Sequence, residues 1–332
     1  MFKTRFISML VLLAAVVSGA WADQLASSYS SNATLNAVTV SASMEVTIAT
    51  GVTVTINNGL TITSGTLTVK GPGTLVVNGK AGSNGGASGT GNGGNGANGA
   101  AAITGNIIVQ GGATVKATGG NGGNGGNSGD ETGGKGAQGG AAITGEVTIQ
   151  DASTLEATGG NGGNGGNGYY GGNGGNGANA IGGTLNYKGG TVTADGGNGG
   201  SGGWSESGEG YGPSGSAGKA FTTSVNFVSS DYILTDGSNA ITATQVTSKK
   251  KVVISPKVAV NSVTLAPTSA TLTLGETETV TLIPTVLPDD ATDKTVTWTT
   301  SNASVATVTD GVVTAVAAGT ATISTLNGGY LE

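Results

Sequence analysis

The chain has 332 residues, 65 of them glycine, with no cysteine and no histidine. That removes disulfides, thiolate chemistry, the usual zinc ligands and the commonest general base. With 13 basic against 19 acidic residues the net charge is −6, which disfavours nucleic acid and anionic membrane surfaces as partners.

Lys3 and Arg5 precede an apolar stretch from Phe6 to Val17, and Ala20-Trp21-Ala22 is an A-x-A cleavage pattern ahead of Asp23. The apolar stretch is too short to span a bilayer, so residues 1–22 read as a secretory signal peptide cleaved after Ala22. Its removal leaves eleven basic residues against 19 acidic ones, a net charge of −8. No second apolar run of spanning length follows, and without cysteine there is no lipid-attachment motif. The mature chain is expected to be secreted or held at a bacterial cell surface.

Residues 23–61 carry short Val/Thr/Ile alternations broken by Ser, Gly and Asn, as in LNAVTVSASMEVTIATGVTVTINN. Period two without a helical period predicts strands, and segments this short and alike suit the first coils of a β-solenoid.

Residues 62–245 repeat at about forty residues, a period that marks stacked architectures. Taking Ile62, Ile103, Ile143, Ile181 and Phe221 as the mark, the spacings are 41, 40, 38 and 40. Four residues beyond the last four marks lie Ile107, Val147, Leu185 and Val225; six beyond lie Val109, Ile149, Tyr187 and Phe227. Mostly polar residues sit between them, so these predict one buried face of a parallel strand. A second strand would place Val115, Leu155, Val192 and Ile233 inward. The first copy fits only with a slip of a residue.

Between the strand parts run glycine segments, and 53 of the glycines lie between Gly79 and Gly218. Asn121, Asn124 and Asn127 fall three apart, as do Asn161, Asn164 and Asn167. The returning Asn92, Asn95 and Asn98, and Asn173, Asn176 and Asn179, do the same. Three residues is the turn of a polyproline-II-type helix. Two faces are then bare glycine and the third carries asparagine. Four excursions, out and back, predict eight such helices in two layers of four, with the asparagine faces outward. Collagen is excluded, because glycine fills two places of three and proline is scarce. These runs resemble the polyglycine II bundles of snow flea antifreeze protein and of phage tail-fibre tip adhesins, and glycine-rich repeats in surface proteins of gut bacteria.

Residues 246–257, with Lys249-Lys250-Lys251, read as a linker with a solvated turn. Residues 258–332 resemble the group 2 bacterial immunoglobulin-like domain. The resemblance rests on Val263-Thr264-Leu265 with Pro267, Leu274-Gly275, Pro284 and Pro288, Val296-Thr297-Trp298, Ser301-Asn302, Val305-Ala306-Thr307-Val308 and Gly319-Thr320-Ala321-Thr322-Ile323. It implies a β-sandwich serving as a spacer or adhesin module, with Trp298 in its core. The copy ends about one strand short of the pattern, so the module reads as truncated. The whole is expected to be all-β, a parallel β-solenoid with polyglycine II excursions followed by an Ig-like sandwich.

For chemistry, the carboxylates are scattered. No stacked acid column is found, as a solenoid glycosidase would need. The third residue of each triplet is Asn rather than Asp, so the repeats are not calcium-binding nonapeptides. No G-K-[ST] phosphate loop occurs. The reading is therefore no enzyme, no catalytic residue, no metal and no cofactor. The excursion tips diverge instead: SGDET, then GYY, then SESGEGYGP. Tyr169, Tyr170, Trp204 and Tyr211 stand there among Gly, Ser and Asn, with Glu206 and Glu209 beside them. Aromatic faces beside acids and hydroxyls are what sugar-binding surfaces use; the alternative is that the rings cap the glycine bundle. The expectation is an exported adhesin-type protein that contacts a glycan or surface receptor through these tips. Ice binding by the flat asparagine faces, or a purely structural role, is the alternative.

Overall fold

A computed structural model describes residues 23–208, 210–228, 231–327 and 330–331. The signal-peptide segment 1–22 lies outside the described residues. Two long sheets stack coil upon coil. One runs from Ser28–Tyr29 through Met44–Ile48, Leu60–Lys70, Ile103–Val109, Val147–Ile149 and Leu185–Tyr187 to Val225–Phe227. The other climbs from Ala33–Leu35 through Thr53–Ile56, Thr74–Asn78, Thr114–Thr118 and Thr154–Thr158 to Thr191–Asp195. All these pairings are parallel. The chain is thus a β-solenoid.

The alternation read from the repeats places its columns correctly. Leu67, Ile107, Val147, Leu185 and Val225 lie in register and are buried, as are Val69, Val109, Ile149 and Tyr187. Leu75, Val115, Leu155 and Val192 form the facing column, each wholly enclosed. Each such side chain contributes about 1.5–3 kcal/mol on burial. Thr148 between them is half-buried and Asn226 exposed. Outside, polar groups ladder from coil to coil. Gln150 donates to Gln110 across 2.7 Å and Asn226 to Asn186 across 2.8 Å.

Three expectations need correction. In the first copy Leu60, not Ile62, lies opposite Ile103, and the four residues between Thr61 and Thr66 face the single residue between Thr104 and Asn106. The surplus is taken up in a bulge, after which Leu67 rejoins Ile107. Ile233 is not inward: it is 36% exposed, and its neighbour Leu234 is buried instead. The reason lies in the third correction. Residues 246–257 hold the strand Lys251–Pro256, which inserts antiparallel between Thr191–Asp195 and Tyr232–Thr235. Val252 and Ile254 are fully buried there, Ile254 opposite Val192. This strand covers the edge of the parallel stack at Thr191–Asp195. Lys249 pairs with Asp236 at 3.2 Å and Lys250 with Asp195 at 2.5 Å, so these two lysines of the predicted solvated turn fasten the closing segment.

The glycine excursions form two layers of four segments. Residues 79–88, 119–128, 159–168 and 196–204 run outward; 93–102, 133–142, 171–180 and 212–220 return. Within a Gly-Gly-Asn triplet whose neighbouring copies are both in place and carry asparagine, every N–H goes a different way. The first glycine donates within its layer to the next copy, as Gly122 to Asn161 O at 2.8 Å. The second donates across the layers, as Gly123 to Ala97 O at 2.9 Å. The asparagine N–H donates to the side-chain oxygen of the asparagine one copy back, as Asn164 to Asn124 Oδ1 at 2.8 Å. No bond is internal to a segment, as polyproline-II geometry requires, yet the interior backbone donors are satisfied. A Cβ built on Gly122 would lie 2.1 Å from Ala137 O, and one on Gly123 1.9 Å from Ser83 O. The second, third and fourth outward segments are accordingly glycine at both places throughout.

Departures from the triplet gather where a neighbour is missing. A Cβ in the second place points to the preceding copy. The first copy has none, and there Lys80, Ser83, Ala97 and Ala100 are all exposed. The last returning segment likewise carries exposed Ser214 and Ala217 in the first place, where no further copy follows. Side chains at these edges obstruct the addition of another segment, in the manner of capping repeats. Ala137 and Ala178 occupy interior second places, and no geometric reason distinguishes them from their glycine neighbours.

The C-terminal module pairs Ser262–Ala266 with Ile283–Leu287, sets Val312–Ala315 between Thr279–Thr281 and Ala306–Thr309, and sets Ile323–Asn327 between Thr297–Thr300 and Tyr330–Leu331, all antiparallel. It is an Ig-like sandwich with a small buried centre of Val260, Val263, Val286 and Ala291. Trp298 is half-buried rather than enclosed.

Candidate binding site at the excursion tips

The tips begin where the period of three ends. Ser88 and Ser128 lie in register, as do Gly168 and Ser205. Gly91 N–H donates to Ser88 Oγ at 3.0 Å, and Glu131 N–H to Ser128 Oγ at 2.9 Å. Each hydroxyl thus turns the chain back within four residues. Ser128 Oγ also donates to Gly91 O at 2.7 Å, tying the second tip to the first. This serine column is not among the residues expected from the sequence to form the site. Its signal was present as a serine directly after the outward run in ASGT, NSGD and WSES.

The last two tips are laced through the main chain of Tyr169. Its carbonyl oxygen accepts from Ser205 Oγ at 2.8 Å and from Ser207 N–H at 3.0 Å. Glu206 N–H donates to Gly168 O at 3.0 Å. Ser205 Oγ also meets Ser207 Oγ at 2.8 Å, so this cluster is internally satisfied. Tyr170 N–H reaches back to Glu131 O at 3.4 Å, a long contact, and Thr132 lies in register with Tyr170.

This lacing brings the third and fourth tips to one end of the bundle. Tyr169 and Tyr170 stand edge to face, centroids 4.9 Å apart at 86°. Trp204 and Tyr211 are directly opposite in a two-stranded antiparallel pair. Tyr169 and Tyr170 are each 47% exposed, Trp204 45% and Tyr211 74%. The rings therefore do not lie sealed under the glycine helices. Glu206 is exposed beside them, while Glu209 lies outside the described residues. Chemically the arrangement offers apolar ring faces with hydroxyl and carboxylate groups at their margin. That suits apolar pyranose faces and their hydroxyls.

Elsewhere, Lys116 pairs with Glu156 across 2.9 Å on the solenoid surface, and Asp151 Oδ2 accepts from Gly111 N–H at 3.1 Å. These two acids of the outer coil are held by structural partners. A cleft of about 820 Å³ belongs wholly to the C-terminal module, where Leu265, Leu272, Leu282, Val313 and Ile323 line it.

Compared with known proteins, residues 259–329 match the family of bacterial Ig-like domains (group 2), a module typical of bacterial surface proteins. The match bears out the resemblance read from Val263 to Ile323 and leaves the solenoid and the bundle outside it. No curated protein matches the chain. Among the described residues no helix is long and apolar enough to cross a membrane.

Proposed function

We propose that this is an exported bacterial surface protein of adhesin type, whose excursion tips bind an extracellular glycan or a surface receptor. The solenoid from Asp23 onward is the scaffold, the polyglycine II bundle is a stiff projection, and the Ig-like module is a spacer. The observation that carries this reading is the exposure of Tyr169, Tyr170, Trp204 and Tyr211 at the end of a bundle otherwise built of glycine, asparagine and serine. Rings this exposed cost solubility and lie outside the buried core, so a binding role explains them better than a packing role. The Ig-like match supports the surface setting.

A glycan array probed with the mature chain tests the proposal. Binding that vanishes when the four rings are replaced supports it. Binding indifferent to the rings overturns the assignment of the tips.

A second reading has one observation in its favour. The asparagine side chains are fixed by their ladder into a regular array on the outward faces, as recognition of a flat lattice such as ice would require. An ice-recrystallisation assay on the same sample separates the two.

A further inference from the structure

Asn–Gly is the dipeptide most prone to spontaneous deamidation, because the glycine nitrogen can reach the asparagine side chain without hindrance from a Cβ. The bundle contains twelve such pairs between Gly79 and Ala220. An unprotected chain of this composition would accumulate charge at all of them.

In eleven pairs the glycine N–H is occupied. Those after Asn84, Asn92, Asn95, Asn98, Asn121, Asn124, Asn161, Asn164, Asn167, Asn173 and Asn176 all donate to a carbonyl of the next copy, at 2.8–3.2 Å. The exception is Asn198–Gly199. Gly199 belongs to the last outward segment, where no further copy follows, and its N–H has no protein acceptor among the described residues. Asn198 is freer in its side chain as well. Asn121 Oδ1 accepts from Asn161 N–H and Asn161 Oδ1 from Asn198 N–H, but nothing stands above Asn198 to use its Oδ1. Asn198 is also exposed.

The structure assigns Asn198 as the bundle's site of spontaneous deamidation, the other asparagine–glycine pairs being shielded by the lattice. Solvent hydroxide takes the Gly199 amide proton. The nitrogen then attacks Asn198 Cγ, forming the N–Cγ bond, and the side-chain nitrogen leaves as ammonia. Water opens the resulting succinimide at either carbonyl, to aspartate or isoaspartate. The net change is asparagine plus water to aspartate plus ammonia. The isoaspartyl product also lengthens the main chain by one methylene. That breaks the three-residue register of the stretch leading to Trp204.

The shielded pairs must open locally before they react. If opening costs at least about 1.4 kcal/mol, their rates fall by a factor of about ten or more. Asn173 provides an internal control. Its glycine N–H is held by Pro213 O, but Pro213 has no N–H to occupy the Asn173 side chain. Outside the bundle, Asn58–Gly59 is a separate case: Asn58 has a left-handed φ of 64°, and its side-chain amide is tied to Asn36 Oδ1 at 2.6 Å.

The test is peptide mapping by mass spectrometry of the folded mature chain aged in mildly alkaline buffer, alongside the same chain in denaturant. Asn198 is expected to convert about tenfold faster than any of the other eleven when folded, with the difference collapsing in denaturant. Conversion of Asn161 or Asn164 as fast as Asn198 in the folded chain overturns the assignment. So does Asn173 keeping pace with Asn198, since side-chain freedom and not the free amide would then decide. A folded Asn198 as slow as the rest overturns it as well.

Discussion

The main-chain N–H of Asn161 donates to the side-chain oxygen of Asn121, one coil below, across 2.9 Å. This contact explains why the third residue of the triplet is asparagine. Two glycine N–H groups per turn find carbonyls, and the third finds none because the outward face has no neighbour. A short carboxamide from the copy below supplies the missing acceptor. The pattern persists where the upper residue is not asparagine: Ser201, Trp204, Ser216 and Lys219 all donate their N–H to an asparagine below. The lower residue decides the bond: Asn173 and Asn176, standing above Lys135 and Gln138, have no such acceptor among the described residues, and the last copy, with nothing above it, is free to abandon asparagine.

Gly122→Val is expected to cost far more than Asn121→Ser. The valine Cβ would meet Ala137 O at 2.1 Å, and a carbonyl already accepting a bond in the bundle cannot turn aside. A loss of about 3 kcal/mol or more follows from overpacking. Asn121→Ser removes one acceptor at a solvated face, worth about 1 kcal/mol or less. Thermal or denaturant unfolding of the two variants checks the order, and similar midpoints would contradict it.

Amide exchange should find the first and second glycines of the triplets between Gly119 and Gly177 protected, Gly171 excepted, because they donate at 2.7–3.2 Å to another part of the chain. Gly199 and Gly202, with no such partner, should exchange quickly. Uniformly fast exchange across the region would contradict the bundle.

Val147→Asp is expected to destabilise by roughly 3–5 kcal/mol, the range for an uncompensated buried charge. Val147 is fully enclosed between Ile107 and Leu185. Thr148→Asp, one residue along and half-buried on the outer face, should cost much less. An unchanged melting curve for Val147→Asp would show the column to be wrong.

Asp236 fixes the turn beside the closing strand. Its carboxyl is held well below the ordinary value of 3.8, at about 2, by the N–H of Asn239, the bond to Lys249 and the N–H of Ser238. A depressed folded-state value favours folding above the unfolded value. That contribution is lost as pH falls from about 4 towards 2. Titration of the carboxyl by NMR should place its midpoint near 2. Asp236→Asn should flatten the acid limb of the stability curve in that window.

The stacked columns and the two-layer bundle were legible because they repeat. Each apolar position could be checked against three copies, and the asparagine register against four segments. What could not be read occurs once. Lys251–Pro256 inserts antiparallel into a parallel stack and so follows no repeat, which also misplaced Ile233. The bulge after Thr61 belongs to the first copy alone. At the tips the aromatic residues stood out by composition, whereas the serine column is chemically indistinct among so many small polar residues.

Replacing Tyr169, Tyr170, Trp204 and Tyr211 together by serine is expected to abolish adhesion while the fold survives. The fold should survive because the third and fourth tips are joined through main-chain groups. Ser205 Oγ and Ser207 N–H bind the carbonyl of Tyr169, and Trp204 N–H binds Asn167 Oδ1 at 2.9 Å. None of these bonds uses a ring. The four residues are 45–74% exposed and lie outside the buried core, so their removal leaves the core untouched. Adhesion should fail because ring faces are what the tips add to a bundle of glycine and small polar groups. Retained melting temperature with lost surface binding is the expected outcome. If adhesion persists in this variant but falls when Asn121, Asn161 and Asn198 are changed, the flat asparagine face is the working surface and the tips are not. Loss of folding in the serine variant would return the rings to a structural role as caps of the bundle.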